Sequence, residues 1–140
     1  MQPTLRSFDL AHLAHLELLT PTPDESLRFF VDVMGMTESG RRGDSVYLRG
    51  WDDYERQTLQ LTAAKVAGMG HVAYRATSPE ALQRRAETIA ASGLGIGWTD
   101  GDIGHGPSYR FKSTDDHLFE IYYETEWYQA PPELKPALKN

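Results

Sequence analysis

The sequence contains no cysteine, which excludes disulfides, thiolate metal sites and a cysteine nucleophile, so any metal must rest on histidine and carboxylate. Nowhere do about eighteen apolar residues run together, and Met1-Gln2-Pro3-Thr4-Leu5-Arg6 offers no basic patch ahead of an apolar core. A cytoplasmic protein with no membrane partner is expected. Lysine and arginine form no block, and the net charge of -6 repels phosphate backbones, so nucleic acid is not an expected partner. At 140 residues the chain has the size of one ordinary domain.

What the sequence does have is a repeat. His15 opens the alternating run His15-Leu16-Glu17-Leu18-Leu19, followed by Thr22-Pro23-Asp24-Glu25, and His71 opens His71-Val72-Ala73-Tyr74-Arg75, followed by Ser78-Pro79-Glu80. Each proline starts an amphipathic helix. Thr22 with Glu25 forms a capping box ahead of the stripe Leu27, Phe30, Val31 and Met34, and Ser78 caps the stripe Leu82, Ala86, Ile89 and Ala90. Gly35 and Gly93 end them. Three short strands follow each helix, and the last carries one polar residue between apolar ones: Leu59-Gln60-Leu61 and Phe119-Glu120-Ile121. The expectation is an α+β fold of two tandem βαβββ modules, about 9–64 and 65–128, whose curved mixed sheet makes a half-barrel around a cavity. Residues 129–140, with Pro131, Pro132 and Pro136, read as a proline-rich linker or tail.

Strand alternation places His15, Glu17 and Leu19 on one face of the first strand and His71, Ala73 and Arg75 on one face of the fifth. With Glu120 as the third member, two imidazoles and a carboxylate can cap one face of a metal and leave the other open, an arrangement that suits Fe(II). A fourth ligand at Gln60 or Glu17 shifts the reading to another divalent cation acting as a Lewis acid on a small carbonyl substrate. Without metal, the three polar groups need water or a counter-charge, for which Arg75 is the candidate beside Glu17 or Glu120. Arg75, His105, Tyr109 and Tyr122 are expected in the cavity or at its mouth, with His105 on a flexible glycine-flanked loop. The cluster Trp51, Tyr54, Tyr122, Tyr123, Trp127 and Tyr128 suits packing or a subunit interface.

The run His15-Leu16-Glu17-Leu18 with Pro23-Asp24-Glu25-Ser26-Leu27-Arg28-Phe29-Phe30 and Met34-Gly35-Met36 resembles the opening of the vicinal oxygen chelate superfamily of glyoxalase I, bleomycin-resistance proteins and extradiol dioxygenases. Ser113 to Glu120 resembles its closing motif, in which the glutamate binds metal. Residues Val46 to Tyr54, Gly104-His105-Gly106-Pro107 and Tyr122 to Glu126 look like the amino-terminal domain of extradiol enzymes of the catechol 2,3-dioxygenase type. The resemblance implies ring cleavage of a small aromatic diol, with residues 1–128 as one domain that is either the amino-terminal domain of such an enzyme, followed by a second His-bearing copy after Asn140, or a short homologue. In the family the iron usually sits in the carboxy-terminal copy, so His15, His71 and Glu120 supply ligands here only if this cavity is loaded. It also implies that Arg56 and Arg110 stand where the catalytic copy carries its proton-handling histidine and tyrosine. A glyoxalase-like metalloenzyme and a metal-free aromatic-ligand-binding module of the bleomycin-resistance type are the alternatives. Open sheet edges call for a homodimer or larger homo-oligomer.

Overall fold

The computed structural model describes residues 8–127; the expected linker at 129–140, and Tyr128 of the aromatic cluster, lie outside the described residues. The elements are β1 (Leu10–Thr20), α1 (Pro23–Arg28), which runs on as a π-turn over Phe29–Val33, β2 (Thr37–Arg42), β3 (Ser45–Arg49), β4 (Leu59–Ala63), β5 (Gly68–Ala76), α2 (Pro79–Ala91), β6 (Gly95–Thr99), β7 (Ser108–Lys112) and β8 (Leu118–Tyr122). Both halves are therefore βαβββ. Their strands form one open mixed sheet in the order β2-β3-β4-β1-β5-β8-β7-β6. Each half pairs its first strand with its last in parallel, and β1 meets β5 antiparallel at the centre. The two halves thus share one continuous ladder.

Period-two alternation divides this sheet into a helix-covered face and a polar face. On β4, Leu59 and Leu61 join Leu48 beneath α1, with Leu27, Phe30 and Val31 packed against them, while Gln60 points the other way. On β8, Ile121 joins Ala76, Ala81, Leu82, Ala86 and Tyr109 beneath α2, while Glu120 and Tyr122 face the polar side. Two apolar cores therefore lie beneath the helices, and a smaller cluster of Ala14, Ala73 and Tyr122 lies apart from them.

The helices depart from expectation in detail. Ser78 caps α2 as its sequence requires, accepting from the Ala81 amide at 3.0 Å. Thr22 makes no side-chain cap bond, so the expected capping box does not form. Thr20 takes over: its hydroxyl bonds Ser26 Oγ at 2.8 Å and accepts from the Thr22 amide at 3.1 Å. Met34, expected on the buried stripe, is 58% exposed, because the π-turn spreads the chain and rotates that position away from the sheet. On α2 Ala81 joins Leu82 and Ala86 on the buried face, and Ala90 is exposed.

Candidate metal centre

Three strands bring His15, His71 and Glu120 to one point on the polar face. His15 Nε2 and His71 Nε2 are 2.9 Å apart, and each stands 3.6 Å from Glu120 Oε2. Register explains the meeting: Ala73 pairs with His15 on one side and with Glu120 on the other, and a bulge between Leu13 and His15 re-aims β1 at this level. All three side chains are sealed from solvent, with exposures of 1%, 3% and 2%. Burial holds the His15 imidazolium well below its usual pKa, and neighbouring His71 and His105 reinforce the effect.

The hydrogen-bond partners decide which nitrogen of each ring faces the centre. His71 donates from Nδ1 to Glu17 Oε1 at 2.9 Å, since a carboxylate can only accept. Burial pushes the Glu17 carboxyl up, but the bonds from His71 and Thr62 outweigh it and hold Glu17 below the usual carboxylate range. Tyr122 gives its hydroxyl proton to Glu55 Oε1 at 2.7 Å, which leaves its oxygen free to accept from His15 Nδ1 at 3.4 Å. Burial, with Glu55 second, pushes the Tyr122 phenol up, so it stays protonated. Both Nε2 lone pairs therefore point at each other and at a carboxylate oxygen. Such a group requires a positive centre: one nitrogen keeps its proton, or a cation takes that place. Donor atoms bound to one divalent ion at about 2.0–2.2 Å stand roughly 3–3.6 Å apart, and the observed spacings fit that range.

The other expected site residues are placed as follows. Glu17 lies behind His71, on its far nitrogen, and its second oxygen accepts from Thr62 at 2.6 Å and Gln60 at 3.1 Å. Gln60 also donates to Ser45 at 3.0 Å, so Gln60 and Glu17 are occupied with each other and not with the centre. Arg75 is not a counter-charge to either glutamate: it donates to the Tyr123 carbonyl at 2.9 Å and lies over the Tyr123 ring, because the chain leaving β8 presents both there. Arg110 is the counter-charge instead, donating to Glu120 Oε1 at 3.0 Å from the register position opposite it. Tyr109, one residue away, packs in the apolar core beneath α2 and not on the polar face with Arg110. Arg56 bonds Glu126 and the Ser39 carbonyl and lies beside Gly104.

His105 lines the cavity region expected of it, but it is held and buried there instead of lying on a flexible loop. Its side chain is 2% exposed, with Nε2 at 3.4 Å from Glu120 Oε2, and its ring stacks on Tyr122 at 4.1 Å between centroids. Glu55, which sequence reasoning passed over, is also buried and accepts from His12 at 2.7 Å and Thr125 at 3.0 Å besides Tyr122. Neither sits in a periodic run; the glycines around His105 were its only signal.

No protein-family model matches the chain. Over 133 residues, 95% of the chain, it is 50% identical to metapyrocatechase of Geobacillus stearothermophilus. The chain is a homologue of the extradiol dioxygenases of the vicinal oxygen chelate superfamily. A manganese-dependent 2,3-dihydroxybiphenyl 1,2-dioxygenase of Geobacillus genomosp. 3 is 37% identical over 94% of it. Among solved structures, homoprotocatechuate 2,3-dioxygenase of Brevibacterium fuscum superposes on 86% of this extradiol dioxygenase homologue with a TM-score of 0.81 and 26% identity. The chain spans about two-fifths of the length of the curated relatives, 41% and 42%, and 34% of that solved chain.

Proposed function

We propose that the chain is the amino-terminal-type module of an extradiol ring-cleaving dioxygenase acting on a small aromatic vicinal diol, and that it holds a divalent cation, Fe(II) or Mn(II), at His15, His71 and Glu120. The observation that carries this reading is the convergence of those three donors, drawn from both halves of a chain that is 50% identical to metapyrocatechase. When bound, such an ion would supply a Lewis acid and a positive charge at the junction of β1, β5 and β8.

The chain's own residues prepare that centre. Glu17 fixes the His71 ring and its tautomer, and Tyr122 with Glu55 does the same for His15. Arg110 neutralises the outer oxygen of Glu120 and leaves the inner one free. Arginines stand at 56 and 110, where the resemblance puts a proton-handling histidine and tyrosine, so those two positions supply no acid–base group. β2 and β6 end the sheet with unpaired edges, which supports assembly with further copies of the fold.

Metal analysis of the purified protein, together with a ring-opening assay of the natural gene product on catechol and 2,3-dihydroxybiphenyl, tests the reading. One cation per module, lost in Glu120→Gln, and a yellow ring-opened product are expected. A gene product that binds cation but cleaves no diol overturns the dioxygenase assignment.

A further inference from the structure

We infer that His105 is a fourth protein ligand, one that closes the centre and makes the cation of this module structural. This rests on the cation-binding reading above and adds a residue to it. His105 donates from Nδ1 to the Gly106 carbonyl at 2.8 Å, so its Nε2 carries a lone pair. That lone pair faces Glu120 Oε2 in a place water does not reach. Donor atoms of His15, His105 and Glu120 all lie within 4.8 Å of one another, a second triad sharing the edge of the first.

The loop is built to deliver this ring. His105 bonds Asp102 through backbone amide and carbonyl, the Gly106 amide donates to the Glu124 carbonyl at 2.9 Å, and the Glu126 amide donates to the Gly104 carbonyl at 2.7 Å. Gly104 sits at φ +90, and a Cβ at Gly106 would press on that of Glu124 at 2.9 Å. Small residues on both sides let the backbone come close enough for the imidazole to reach across to β8. Tyr122 then covers the ring face, stacked nearly parallel at 12°.

Coordination counting gives the consequence. A six-coordinate ion with three protein ligands keeps three positions, enough for a chelating diol and dioxygen together; with four it keeps two, and a tetrahedral ion keeps none. Four protein donors sealed from solvent describe a structural site, which ties β1, β5, β8 and the 100–107 loop together. Diol chemistry then belongs to a different, open centre of the enzyme.

Cobalt(II) loading of the full chain tests this. Wild-type protein should bind one equivalent and show the intense visible bands of four-coordinate cobalt. His105→Ala should lose at least tenfold in affinity and give the pale spectrum of higher coordination. The chain has no cysteine of its own, so His105→Cys offers an unambiguous probe: a thiolate-to-cobalt charge-transfer band appears only if position 105 touches the metal. Cobalt bound with unchanged affinity and spectrum in His105→Ala, and no charge-transfer band in His105→Cys, overturns the inference and leaves the three-ligand reading standing. A folded wild-type chain that takes up no cation overturns both.

Discussion

At the residue scale, the decisive contacts sit behind the donors. Glu17 keeps His71 in the right tautomer, and Glu17→Gln should lower cation affinity by roughly 10- to 100-fold, measured by competition with a chelating dye. Gly70→Ala should do the same without changing any charge, because a methyl there collides with the Glu17 carboxylate. The meeting of three side chains was legible: His15 and His71 recur at matching strand positions, and Glu120 repeats the place of Gln60. What stands behind them was not. Glu17 alternates with the ligand histidine and so looked like a ligand, but its reach is to the far nitrogen, a distinction that depends on side-chain length and on strand neighbours far away in sequence. Arg75 looked like a counter-charge by alternation alone, yet a carbonyl just beyond β8 captures it. His105 stands at the cavity as expected, but its burial was not legible, because a glycine-flanked loop has no period from which to read its direction.

At the scale of elements, two similar sequence signals gave different structures. Ser78-Pro79 and Thr22-Pro23 both read as helix starts, and both helices exist, but only Ser78 caps through its side chain. Ser78→Ala should therefore cost about 1 kcal/mol in urea unfolding, and Thr22→Ala no more than a few tenths. The strand pattern was more dependable than the helix detail, since alternation follows from the pleat and was fixed by the two apolar cores. The short α1 has no such constraint on its end, where the π-turn exposes Phe29, Val33 and Met34. Its predicted stripe held for the first turns and failed at the last.

At the scale of the whole molecule, the centre collects side chains from both halves of the repeat, so an ion bound as proposed would join them thermodynamically. At free cation a hundredfold above Kd, linkage gives about 2.7 kcal/mol, and excess chelator should lower the Tm by roughly 10 °C in differential scanning calorimetry. A second long-range tie lies at buried Asp9, which accepts from Arg84 at 2.7 Å and pairs with Arg85 at 2.8 Å. The bond from Arg84 lowers the Asp9 pKa more than burial raises it. A depressed folded-state pKa means that this stability is present above the usual carboxylate range and is lost as pH falls through the folded value. Asp9→Asn should accordingly flatten the acid limb of the stability curve, as followed by circular dichroism, while lowering stability at neutral pH. The two-module plan was readable from the repeat; the antiparallel seam between β1 and β5 came from the structure. The sealed centre was not readable, because closure depends on a loop folding over the sheet.

His15 and His71 hold equivalent places in the repeat, yet one ring leans on a phenol and the other on a carboxylate. A symmetrical frame thus surrounds an asymmetrical heart, and anything seated there feels an uneven pull from its two sides. With a paramagnetic ion in place, the Nδ1 protons of these rings should give two separately shifted NMR lines instead of a coincident pair, a mark of duplicated halves that are no longer interchangeable.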